Sequence, residues 1–220
     1  MYLILNFKEN KNFDECKKYL SDLSEFLQNF NPGKIQLIIA PPFPYLQLFN
    51  ESLSKFDFVG IASQDVSKFT NGAYTGEVSA SQVKDFSKFC IVGHSERRKN
   101  FNESVLDVDL KIGNCVNSGL EPIVCFSNLE QLTGITNLEK SIIAYEPIDF
   151  IGGNEAISKQ SLTEFYRSTG LSKKIIYGGS VNEENILRFV GIDFISGLLV
   201  GGASLDVNRV VSMIKLLQTV

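Results

Sequence analysis

The fold class predicted by this sequence is α/β, a single (β/α)8 barrel of eight parallel strands spanning residues 1–220. Three observations predict it. Eight short apolar runs are bounded by turn residues. Amphipathic helical stretches fall between most of these runs. The seventh and eighth runs each end in a Gly-Gly pair that precedes a helix. Strands alternating with helices form a parallel sheet, and eight repeats favour closure over an open doubly wound sheet.

The first strand is read at 2–5. Phe13, Cys16, Leu20, Leu23, Leu27 and Phe30 then recur three and four apart, with Asp14, Glu15, Lys17, Lys18 and Asp22 off the stripe, so a helix covers the sheet there. Strand two, 35–40, leads to a helix at 45–55, and strand three is 59–63. The segment 65–79 has no helical period and carries Phe69, Ala73 and Tyr74. A loop of this length with aromatics to cover predicts contact with a second subunit.

A helix at 81–87 precedes strand four, 89–92, and a helix at 104–117 follows it, stopped by Gly119 in the left-handed conformation that ends helices. Strand five is 122–125. The link 126–140 is close to the shortest crossover that parallel strands allow, so the helix between strands 5 and 6 is short or irregular. Strand six is 141–145, with Pro147 ending its ladder. Helices at 161–168, 183–189 and 205–217 alternate with strand seven, 174–177, and strand eight, 196–200.

Composition narrows the function. A net charge of -4 with Lys and Arg interleaved among Asp and Glu provides no basic stripe for a phosphodiester backbone, so nucleic acid is excluded as a partner. Residues 1–5 are apolar but run into Asn6, Lys8 and Glu9 without a basic leader or a long hydrophobic region. The expectation is a cytoplasmic protein with no membrane segment. Cys16, Cys90, Cys115 and Cys125 are scattered among apolar neighbours and read as buried thiols.

Glu146 follows the apolar run of strand six and stands at its carboxyl end, where a parallel barrel keeps its chemistry and a carboxylate can act as a base. The alternative is an ion pair at a loop mouth. His94, the sole histidine, follows strand four and precedes a run that starts like a short helix. A helix amino end disfavours imidazolium, and a neutral ring can donate to a carbonyl oxygen. Ser95 and Glu96 have first-turn character, and Arg97 and Arg98 have Glu77 and Glu103 as candidate partners. Strand one delivers Asn6 and Lys8 to the same rim, where a cation would draw anionic substrates. Gly178-Gly179-Ser180 and Gly201-Gly202-Ala203-Ser204 follow strands seven and eight, the usual phosphate site of such barrels.

No His/Asp/Glu cluster resembles a metal site and the glycine turns lack a dinucleotide fingerprint, so the expectation is an enzyme with no metal and no cofactor. A carboxylate, a neutral donor, a cation and a phosphate cradle suit proton transfer beside the carbonyl of a small phosphorylated compound, through an enediolate. Residues 147–156, with Gly152 and Gly153, are placed to serve as a lid that keeps water from that intermediate.

Asn6-Phe7-Lys8, Val92-Gly93-His94-Ser95-Glu96-Arg97-Arg98, Ala144-Tyr145-Glu146-Pro147, Ile151-Gly152, Tyr177-Gly178-Gly179-Ser180-Val181 and Leu199-Val200-Gly201-Gly202-Ala203-Ser204-Leu205 together resemble the triosephosphate isomerase family along essentially the whole chain. The resemblance implies the interconversion of dihydroxyacetone phosphate and D-glyceraldehyde 3-phosphate, in glycolysis and gluconeogenesis. It implies Glu146 as base, His94 as electrophile, Lys8 as electrostatic stabiliser, Asn6 as an active-site amide, and Glu96 in a supporting role. It assigns the substrate phosphate to Gly152, Ser180, Gly201 and Gly202. It further implies a homodimer through the 65–79 loop, with Tyr74 and Thr75 on an arm that reaches the neighbouring subunit.

Phe7, Asp149, Asn128 and Gly153-Asn154 depart from the family's commoner residues, chiefly around the lid. The short crossover resembles trimmed archaeal members, some of which are tetramers. Two other readings stay open on the residues: a different phosphate-binding barrel enzyme, such as an aldolase, and a non-catalytic binder that keeps the phosphate site.

Overall fold

Consecutive apolar residues buried on both faces build every strand. The strands are β1 (Tyr2–Asn6), β2 (Gln36–Ala40), β3 (Val59–Ser63), β4 (Phe89–Val92), β5 (Glu121–Phe126), β6 (Ile142–Tyr145), β7 (Ile175–Tyr177) and β8 (Ile195–Val200). In the computed structural model, which describes residues 1–151, 153 and 156–219, they close in sequence order into a parallel barrel. Closure is made by β1, whose Leu3 stands opposite Leu37 of β2 and Leu198 of β8. The eight strands fall where the apolar runs predict them, with ends shifted by a residue.

Strand alternation separates two cores. Ile4, Ile38, Phe89, Ile91, Ile123, Ile176 and Leu199 fill the barrel interior. Leu3, Leu5, Leu37, Val92, Val124 and Ile143 face outward and pack with the helices. Those helices are α1 (Phe13–Gln28), α2 (Leu46–Leu53), α3 (Ala80–Val83), α4 (Ser95–Phe101), α5 (Val105–Ser118), α6 (Lys159–Thr169) and α7 (Val207–Leu217). The α1 stripe buries Cys16, Leu20, Leu23 and Leu27, as its spacing predicts, and a capping box of Asn12 and Glu15 starts the helix. Gly119 ends α5 at φ 81°. All four cysteines are buried and free.

Three predicted helices differ in the structure. The stretch 45–55 divides into a 3-10 turn, Phe43–Tyr45, and α2. The stretch 81–87 yields only the single turn of α3. The stretch 183–189 forms only a 3-10 turn at Ile186–Phe189. Asn182 Oδ1 accepts the N–H groups of Glu184 and Asn185, and Asn185 Nδ2 donates to Ser180 O at 2.9 Å.

The crossover from β5 to β6 is irregular, as its length predicts, and consists of 3-10 turns at Leu129–Leu132 and Leu138–Lys140. Lys173 Nζ closes it by donating to Leu138 O at 3.2 Å, Glu139 O at 2.8 Å and Ser141 O at 2.6 Å. One ammonium thus satisfies carbonyls that a longer helix would have used itself.

Candidate active site

Asn6 ends β1 and is buried, and its side-chain oxygen accepts the Lys8 N–H at 3.0 Å. That local turn holds Lys8 in the left-handed region at φ 53°, and Gln64 clamps it by donating to Lys8 O and Ala40 O, both at 2.9 Å. The result aims the Lys8 ammonium across the rim onto Glu96 Oε1. A lysine in this conformation carries strain that the clamp offsets.

His94 follows β4 and is the N-cap of α4, with Nδ1 accepting the Glu96 N–H at 3.2 Å. A ring nitrogen that accepts an N–H carries no proton itself, so the remaining proton sits on Nε2. Nε2 faces Glu146 Oε1 at 2.9 Å. Glu146 follows β6, is 2% exposed, and takes the Ser95 N–H on Oε2 at 2.9 Å. Strands four and six therefore bring the single histidine and the strand-end carboxylate into direct contact.

A cavity of about 250 Å³ opens at this rim and is lined by Asn6, Lys8, His94, Glu146, Ser180, Gly201, Gly202 and Arg209. The glycines differ in the clearance they need, and a Cβ on Gly202 would meet nothing within 4 Å. A Cβ on Gly201 would stand 3.2 Å from Lys8 Cε, and one on Gly179 would stand 2.4 Å from the Tyr177 hydroxyl. Ser180 sits at φ 48°, and its hydroxyl donates to Phe150 O at 2.7 Å. The Ser180 hydroxyl therefore ties the turn after β7 to the segment that follows Glu146. Gly152 lies outside the described residues.

The family model for triosephosphate isomerase matches residues 1–217. The chain belongs to the triosephosphate isomerase family. It is 36% identical over 230 residues to the triosephosphate isomerase of Mesomycoplasma hyopneumoniae (strain 232), covering 93% of this chain and 94% of the relative. It is 34% identical over 239 residues to that of Mesomycoplasma hyorhinis, with 97% of each chain covered. It is 36% identical over 224 residues to that of Prochlorococcus marinus subsp. pastoris, covering 91% of this chain and 92% of the relative. The activity is that of a triose-phosphate isomerase, EC 5.3.1.1, exchanging dihydroxyacetone phosphate and D-glyceraldehyde 3-phosphate. Among the described residues, no helix is long and apolar enough to cross a membrane.

Electrostatics at the triosephosphate isomerase rim differ in one respect from the sequence expectation. The helix amino end alone would disfavour imidazolium. Burial also lowers His94, but the Glu146 carboxylate beside it pulls the other way and the balance lies above the ordinary value. The Nδ1 contact limits that rise, because imidazolium would have to release the Glu96 N–H. For Glu146, burial pushes upward while His94 and the Ser95 N–H pull harder, so the carboxyl titrates below its ordinary 4.5. Glu146 is thus ionised at neutral pH despite being buried.

Of the other residues in the motifs, Arg97 binds Asp65 at 2.8 Å and Glu103 at 3.2 Å, and Arg98 donates to the carbonyls of Gly93 and Cys125. Lys111 joins the first pair, making a buried cluster of two acids and two bases. On the 65–79 arm, Phe69 and Tyr74 stack on each other at 3.7 Å, and Tyr74 is 42% exposed. Tyr74 and Thr75 border a second recess with Arg97, Phe101 and Glu103, away from the catalytic cavity of their own chain.

Three contacts at the rim are absent from the sequence reading. The Ser95 N–H on Glu146 had no signal, since a backbone donor has no residue type. Tyr177 ends β7, and its hydroxyl accepts the Ile157 N–H at 3.1 Å, so it ties the residues just before α6 to that strand. Arg209 had a faint signal as a cation in the first turn of α7, where the helix dipole favours anions.

Proposed function

We propose that Glu146 is the base of this isomerase and shuttles one proton between the two carbons of the substrate's enediolate. His94 donates its Nε2 proton's hydrogen bond to the carbonyl oxygen, and Lys8 attracts the anionic substrate and stabilises the oxygen as it gains charge. Asn6 orders the turn that aims Lys8, and Glu96 holds its ammonium until substrate arrives. The substrate phosphate lies among the N–H groups of Ser180, Gly201, Gly202 and the lid residue Gly152.

The observation that carries this reading is the 2.9 Å contact between His94 Nε2 and Glu146 Oε1. The same donor and base, once separated by a substrate, would face the carbonyl oxygen and the adjacent carbon. Ionised Glu146 supports it further, because a protonated carboxyl could not accept the carbon's proton.

The chain functions as a homodimer, its 65–79 arm covering a partner. The support is the exposed Tyr74 ring and the recess bordered by Thr75 and Phe101, itself 66% exposed. Its setting is the cytoplasm, in glycolysis and gluconeogenesis.

Purified protein given dihydroxyacetone phosphate in deuterated water should form glyceraldehyde 3-phosphate carrying solvent deuterium at the carbon beside the carbonyl, read by a coupled dehydrogenase and by NMR. No turnover by folded protein, or product without deuterium, rejects proton transfer by these residues.

A further inference from the structure

We infer that Arg209 is a substrate-binding and specificity-determining residue: a second cation, beside Lys8, that recognises the phosphate dianion at the cavity rim. The inference rests on the reading of this cavity as the triose phosphate site.

Arg209 lines the same cavity as Ser180, Gly201 and Gly202. It stands in the first turn of α7, which begins shortly after that second glycine pair. A cation there opposes the helix dipole, so something else must favour its position. Glu183, just beyond the Ser180 turn, supplies that: its oxygens accept from Arg209 Nε at 2.7 and 2.9 Å.

The tie uses only Nε. A guanidinium has five N–H donors, and those on the two terminal nitrogens match the paired oxygens of a phosphate. The Arg209 side chain is 41% exposed, so it can turn toward a ligand without leaving a buried charge behind. The asparagine turn that replaces a helix after β7 matters here, because it places Glu183 beside α7 and keeps the Ser180 carbonyl bonded to Asn185.

Backbone N–H groups bind any small anion with acceptor oxygens, whereas a guanidinium adds charge-dependent preference for the dianion. Two cations on one rim also draw the substrate from a distance.

The test uses the full-length enzyme as the wild type, R209Q, R209K and E183Q, with inorganic phosphate as the probe titrated by calorimetry, and with steady-state kinetics at several salt concentrations. R209Q should weaken phosphate binding about threefold or more and raise KM in step while kcat stays near wild type, a size typical of a partly exposed charge contact. R209K should recover part of the loss, and the rise of KM with salt should be shallower in R209Q. E183Q should bind phosphate at least as well as wild type, since the arginine is released toward it. Equal phosphate affinity in wild type and R209Q overturns the inference. Equal weakening by R209Q and E183Q also overturns it, because the pair then only braces the loop. Phosphate binding is read without turnover, so a failure of the isomerase mechanism would be visible separately, as absent activity with the phosphate result intact.

Discussion

Glu146 and His94 are bonded to each other, Oε1 to Nε2 at 2.9 Å, while the Ser95 N–H holds the other carboxylate oxygen at 2.9 Å. The two groups are buried together, and the Glu146 charge raises His94 while His94 lowers Glu146. In the proposed mechanism a substrate exchanges its carbonyl oxygen for the carboxylate at Nε2 and its acidic carbon for the imidazole at Oε1.

Removing the base while keeping its shape tests that exchange. Glu146→Gln should lower kcat by about 10²- to 10⁴-fold, the range of general acid–base catalysis, with the thermal midpoint close to wild type. A loss under tenfold in a folded variant would assign the proton to another group.

The single histidine makes the imidazole directly readable. Nitrogen-15 NMR should show Nε2 protonated and Nδ1 bare on the alkaline side, with a titration midpoint above the ordinary 6.5. In His94→Asn the Glu146 carboxyl loses the neighbour that lowers it, so burial dominates and its carbon-13 titration should move to higher pH. The linked stability follows the depressed carboxylate: the wild-type contribution is present above the unfolded value and is lost as pH falls through the folded one, a loss that His94→Asn should abolish. A carboxyl that titrates identically in both proteins would refute the coupling.

Tyr177 braces the lid through Ile157 N at 3.1 Å, as Ser180 does through Phe150 O at 2.7 Å. Tyr177→Phe removes one hydrogen bond, about 1 kcal/mol, so the arrangement that ties Ile157 to β7 should be about fivefold less populated. An enediolate exposed to water can lose phosphate, and inorganic phosphate released per turnover should rise in the variant. No increase would show that the latch does not guard the intermediate.

The arm predicts concentration-dependent assembly. Sedimentation of the wild type should show a dimer, and Tyr74→Asp should shift it to monomer with reduced activity, because the variant places a charge on the stacked Phe69–Tyr74 pair. A wild-type monomer with full turnover would remove the arm from the mechanism.

Strand positions and the polar residues that the strands carry to the rim were legible in the chain itself. Apolar runs that end in Asn6, His94 and Glu146 announce both a strand and its polar terminus, since burial on both faces leaves a period-free apolar stretch that stops where solvent begins. Glycine pairs after β7 and β8 were equally plain, and at Gly179 the Tyr177 hydroxyl leaves no room for a Cβ. Less legible was the stretch after β7, which forms a 3-10 turn where the apolar spacing predicts a helix, and the balance at His94, where a carboxylate remote in sequence overrode the helix end.

Local pattern, then, settled which residues are apolar, where the chain turns and which chemistry the rim has to hand. Tertiary structure alone decided who meets whom: His94 with Glu146 across 52 positions, Lys8 with Glu96 across 88, and Arg209 with Glu183 across 26. Those encounters depend on barrel closure, which converts sequence distance into adjacency around a ring. Coulomb and hydrogen-bond energies fall off over a few ångströms in space, and nothing in the spacing of residues along a chain measures that.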